Sequence, residues 1–105
     1  MIIEIGRLTR DVEVRTVQVN GEEKNVLNNR LAVRFGRGES AFIDLTAWNG
    51  TADFIGAHFK KGDEMYVEGE LRNRVSKIGD RDLSVPFLLV RRIQFTHGNL
   101  REDTV

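Results

Sequence analysis

An all-β barrel of five strands in Greek-key order, with one short helix between the third and fourth strands, is predicted by three observations. Most of the chain alternates apolar and polar residues with a period of two, the repeat of a half-buried strand. One segment in the middle repeats at helical spacing instead. Glycine-rich or polar turn signals separate the alternating runs.

The elements follow in order. "IIEIG" (2–6) opens the first strand, and "VEVRTVQV" (12–19) continues it after the short polar stretch "RLTRD". Asn20-Gly21 supplies the positive φ that a tight hairpin needs. "VLNNRLAVRF" (26–35) is the second strand, with Leu27, Leu31 and Val33 on one side and Asn28, Arg30 and Arg34 on the other. "GRGES" connects it to the third strand, "AFIDLTAW" (41–48), whose core face carries Ile43, Leu45 and Ala47. The opposite face carries Phe42, Asp44, Thr46 and Trp48. Asp44 and Thr46 mark that face as wet, which leaves a Phe and the only Trp of the chain on the solvent side.

Phe54, Ile55, His58 and Phe59 then fall on one helical face. Thr51 is the expected cap and Asp53 suits the first turn; Lys60 and Lys61 suit the last, and Gly62 the stop. Both Phe54 and Phe59 are expected in the core. "EMYVEGELRNRV" (64–75) is the fourth strand, with Met65, Val67 and Leu71 opposed to Tyr66, Glu68, Glu70, Arg72 and Arg74. "LSVPFLLVRRIQF" (83–95) is the fifth, and Pro86 places a strand start, bulge or edge there, because proline donates nothing to a ladder. Five strands with a lone helix after the third are the plan of an OB-fold, whose ligand face is made by strands 2 and 3 and flanked by the 1–2 and 4–5 loops. The domain is expected over residues 1–96 and a frayed tail over 97–105.

Composition excludes several functions. The chain of 105 residues has no Cys, so disulfides, thiolate metal sites and cysteine nucleophiles are absent. His58 and His97 lack metal-ligand spacing, so no metal or cofactor is expected. "GRGES" is not a phosphate loop, and Ser40, Ser76 and Ser84 lie outside any nucleophile elbow, so the chain is not read as an enzyme. The N-terminus is not read as a signal peptide, no apolar run has membrane-spanning length, and a cytoplasmic location is expected. Lys plus Arg and Asp plus Glu number 16 each, so electrostatic binding requires uneven placement of charge rather than an excess.

"IGRLTRDVEVR" (5–15), "NNRLAVRF" (28–35), the run "FIDLTAWNG…" to Arg74 and the closing "IQF" (93–95) together resemble the bacterial single-stranded DNA-binding protein family. The resemblance runs in order from residue 1 to about residue 95 and is specific through the combination of these motifs. It implies an OB-fold that binds single-stranded DNA with little sequence preference, in replication, recombination or repair, and that assembles as a homotetramer, with a dimer as second choice. It implies base stacking on Phe42 and Trp48, and on Phe35 near the end of the second strand. Arg30 and Arg34 beside the rings, Arg72, Arg74, Lys77 and Arg81 around the 4–5 loop, and Arg7 and Arg10 near the start are the expected phosphate contacts.

The departures are a Ser76 where the family carries an aromatic after the fourth strand, a short 2–3 loop, and a C-terminal "REDTV" in place of an acidic tip. Partners that depend on such a tip are therefore expected to be absent. Competing readings stand beside these: Trp48 as an interface or half-buried packing residue, Phe35 as a core-edge residue by its parity with Leu31 and Val33, and Tyr66 facing either DNA or a neighbouring subunit. For the molecule, the alternatives are an OB module that binds RNA or a protein on the same face, and a structural oligomer that buries its rings between subunits.

Overall fold

The computed structural model describes residues 1–97. It contains β1 (Ile2–Leu8), β2 (Val14–Val19), β3 (Glu22–Phe35), β4 (Glu39–Trp48), α1 (Asn49–His58), β5 (Glu64–Ile78) and β6 (Arg81–Gln94). The strands form one sheet in the order β1-β5-β6-β4-β3-β2, and β1 also pairs with β3, so β1-β5-β6-β4-β3 close into a ring. Among the described residues this is the expected barrel with a lone helix. The helix follows the fourth strand rather than the third, because the expected first strand is two. The anticipated tail lies, beyond His97, outside the described residues.

The split has a local cause. Leu8 pairs with Leu31, and Val14 pairs with Leu27. Residues 9–13 therefore oppose only residues 28–30, two fewer than a regular ladder allows. The buried Asn29 takes up the excess: its Oδ1 accepts the Arg10 N–H (3.3 Å), and its Nδ2 donates to the carbonyls of Arg10 (3.1 Å) and Asp11 (3.4 Å). A buried amide here replaces ladder bonds that the extra residues would leave unmade. The hairpins follow their turn residues. Asn20 and Gly21 both have positive φ between the paired Val19 and Glu22, as a two-residue turn of this type requires.

The core is Leu8, Leu27, Leu31, Leu45, Met65, Val67 and Leu88, closed at one end by Ala52 and Ile55 of α1 and by Phe59. Phe54 is half-buried and packs against this core. The helix ends differ from expectation. It starts at Asn49, with Trp48 in the cap position and no side-chain cap, so Thr51 does not cap it. Asp53 lies beyond the first turn and accepts from Asn25 Nδ2 (3.0 Å), which ties α1 to β3. The helix stops at Phe59, which turns extended to reach the core, before Gly62. Gly62 instead serves the turn into β5, donating its N–H to the Leu8 carbonyl (2.8 Å).

Candidate functional site

Antiparallel pairing puts opposite residues on the same face. On the outer face of β3 and β4 this joins Arg30 with Asp44, Ala32 with Phe42, Arg34 with Ser40, and Asn28 with Thr46. Arg7 of β1 pairs with Ala32 and extends the Phe42 row. Phe42 is 56% exposed, and the Arg30 guanidinium carbon lies 5.2 Å from its ring centre. Between the β3–β4 hairpin and the β5–β6 ribbon runs a groove of about 780 Å³, lined by Phe35, Phe42, Arg34, Leu71, Val85 and Pro86 among others. The groove exists because β4 and β6 pair only at Leu45–Leu88 and Thr46–Leu89. Pro86 pairs with Asn73 of β5 and falls short of the β4 rungs, where a proline interrupts no β4–β6 pairing.

The two strand ends differ. Phe35 is 52% exposed and lines the groove, so it lies outside the core despite sharing parity with Leu31 and Val33. Trp48 is less open, at 37%, and pairs with the buried Val26 where β4 passes into α1. Thr46 departs from the expected wet position and is buried. Its hydroxyl donates to Asn28 Oδ1 (2.7 Å) and accepts from Arg74 (2.8 Å), which crosses from β5 and lies 4.5 Å from the centre of the Phe87 ring. The polar look of Thr46 thus reflects a buried hydroxyl with partners rather than contact with water.

Charge placement separates the cations. Arg30 lies 3.6 Å from Asp44, and Arg72 2.6 Å from Glu70, which also holds Arg91 at 3.4 Å. Hydrogen bonds from Arg72 and then Arg91 hold the Glu70 carboxyl below its usual pKa. Arg7 pairs with Glu64 (3.8 Å) and donates to the Gly62 carbonyl. Among the described residues, Arg10, Arg34, Arg74 and Lys77 have no carboxylate at salt-bridge distance. Arg34 and Arg74 border the rings; Arg10 sits on the 9–13 loop beside Asn28; Lys77 lies near the ribbon tip, on the ribbon face opposite Arg72 and Arg74. Tyr66 donates to Glu68 (2.7 Å), which raises its pKa, and stands on β5 between Ile5 and Gln94, away from this groove.

Exposed rings interleaved with guanidinium groups along an open groove are what a binder of unpaired bases and phosphates requires. The model of the single-strand binding protein family matches residues 1–96. The chain belongs to that family. It is similar to single-stranded DNA-binding protein 1 of Staphylococcus aureus strain Mu50, at 34% identity over 97% of this chain and 68% of that protein. It is also similar to the single-stranded DNA-binding protein of Malacoplasma penetrans, at 32% identity over 71% of this chain and 40% of that protein. The chain therefore spans about two thirds of the first relative's length and less than half of the second's.

Within this family member, sequence reasoning missed Phe87 and the Thr46–Asn28 pair. Phe87 shares its face with Arg72, its partner across the ribbon. No local signal marks it, because that register depends on an irregularity between Glu68 and Gly69. Gly69 permits the irregularity: a side chain there would run into the Leu89 carbonyl.

Proposed function

We propose that this chain is a non-catalytic binder of single-stranded DNA that holds bases on exposed rings and phosphates on neighbouring cations. The observation that carries this is Phe42, half-exposed in an open groove with Arg30 over its ring and Arg34 beside it, in a member of the single-strand binding protein family. Each base has a π-face, so stacking on Phe42, Trp48 and Phe35 contributes about 1–3 kcal/mol per base with little regard to sequence. Arg34, Arg74 and Arg10, free of carboxylate partners among the described residues, are the leading phosphate contacts. Arg30 and Arg72 serve with part of their charge already compensated, and Arg7 and Lys77 lie at the margins.

The work proposed for it is protection of single strands in replication, recombination or repair, in the bacterial cytoplasm; the bacterial source of its relatives supports this. A homotetramer, with a dimer as second choice, is the proposed assembly. In support, among the described residues Ile2 to Gly6 of β1 pair with β5 on one side only, and Ile3 and Ile5 are more than half exposed. An unpaired strand edge beside apolar side chains favours a second chain. An RNA or protein ligand on the same face is not favoured by the family or by the names of the relatives.

Titration of Trp48 fluorescence with oligo-dT, oligo-U and duplex DNA tests the reading, because Trp48 is the single Trp and reports one place. Quenching by oligo-dT well above that by the other two is expected. An equal response to oligo-U would favour RNA, and no response from folded protein at low salt would leave the rings to subunit contacts.

A further inference from the structure

We propose that Arg74 and Phe87 together form a base-stacking platform on the β5–β6 ribbon beside Thr46 of β4, in which the guanidinium, not the ring, meets the base. This rests on the single-stranded DNA reading above. Phe87 is half-buried, and Arg74 lies over it at 4.5 Å. The same guanidinium donates to the buried Thr46 hydroxyl at 2.8 Å, and that hydroxyl is oriented by its own donation to Asn28. A ring behind and a hydrogen bond at one edge fix a long side chain that is otherwise free to rotate. A fixed guanidinium presents its outer face as a flat, weakly hydrated surface, and such planes accept unstacked bases as aromatic rings do.

Arg30 also lies over a ring, Phe42, but Asp44 faces it at 3.6 Å. Thr46, by contrast, brings Arg74 no negative charge, so its full charge stays available to a base and the adjoining phosphate. Thr46 lies four residues from Phe42 and two from Trp48 on the same strand face, about 13 and 7 Å along β4. The platform therefore falls beside the path between those two rings, and one strand can use all three.

The test measures affinity for a labelled dT oligomer and for an abasic oligomer of equal length, across several salt concentrations, in the wild type, Arg74→Lys and Phe87→Leu. Lys keeps the charge without the plane; Leu keeps apolar volume without the ring. Both variants should bind dT about tenfold more weakly. Their slope of log affinity against log salt should stay unchanged, and they should bind the abasic oligomer as the wild type does. Arg74→Lys binding dT within twofold of the wild type would overturn the platform. So would an equal loss on the abasic oligomer, which would make Arg74 a phosphate contact only, with no base on its plane. If Phe87→Leu unfolds, Arg74→Lys decides alone. Failure of the wild type to bind dT would overturn the single-stranded DNA reading itself.

Discussion

Phe42 and Trp48 share a strand face but not an environment, and their variants should behave differently. Phe42 stands in the open groove, whereas Trp48 hands β4 into α1 beside the buried Val26. Phe42→Ala should weaken binding of a dT oligomer by about 1–3 kcal/mol with thermal stability unchanged. Trp48→Ala should lose a similar amount of binding and also about 1–2 kcal/mol of stability, since part of the ring is packed. Thermal melts alongside anisotropy titrations separate the two. Glu70 acts in the opposite sense by engaging Arg72 and Arg91. Glu70→Gln should tighten DNA binding and steepen the salt dependence by about 0.7 in slope for each cation that reaches a phosphate. The pH dependence has the same origin. The folded carboxyl titrates below its ordinary value, so it stays ionised to lower pH than a free carboxylate. Its contribution to stability is present above the unfolded pKa and is lost as pH falls through the folded one. In that acid window the two arginines are released, so wild-type affinity should rise relative to Glu70→Gln; parallel pH profiles of the two proteins would count against this.

At the scale of elements, two features position the site. The extra residues at 9–13 carry Arg10 past Asn28, and Asn29 alone supplies three hydrogen bonds that hold them. Asn29→Leu should destabilise the fold by about 1–3 kcal/mol in urea unfolding, because backbone groups of the loop lose a buried partner. The second feature is the irregularity at Glu68–Gly69, which sets which residues of β6 share a face with Arg72 and Arg74. Gly69→Ala should cost about 1–3 kcal/mol through the close Leu89 carbonyl, or shift the ribbon and weaken DNA binding as Arg74 leaves Thr46. A variant with both wild-type stability and wild-type affinity would show that the backbone there is more tolerant than its packing implies.

For the whole molecule, zero net charge does not imply salt-independent binding. Of the cations without a carboxylate partner among the described residues, Arg34 lines the groove and Arg74 lies over Phe87, and log affinity should fall with log salt by about 0.7 per neutralised phosphate. Arg34→Glu should flatten that line, and Lys61→Glu, beyond the far end of α1, should leave it unchanged. Assembly is a separate test. Light scattering at micromolar concentration should give a symmetric oligomer, and lysines in place of Ile3 and Ile5 should dissociate it; a wild-type monomer would refute the assembly.

Much of this was legible in the sequence because a strand's alternation is a local property. Phe42 points out and Leu45 in by parity alone, Asn20-Gly21 encodes its turn, and the helical spacing of Phe54, Ile55 and Phe59 announces the one helix. These depend on neighbours a few residues apart, and so on backbone geometry that the residues themselves impose. What parity cannot say is which strand lies alongside and in what register. Thr46 reads as wet and is buried because Arg74, 28 residues later, covers it. Residues 9–13 read as a polar pause within one strand and instead divide two, because Asn29 of another strand can satisfy them. Phe87 comes to share a face with Arg72 only through the register set at Gly69. Each is a matter of hydrogen bonds and close contacts between distant segments. Those form only when the barrel closes, so only the tertiary structure decides them.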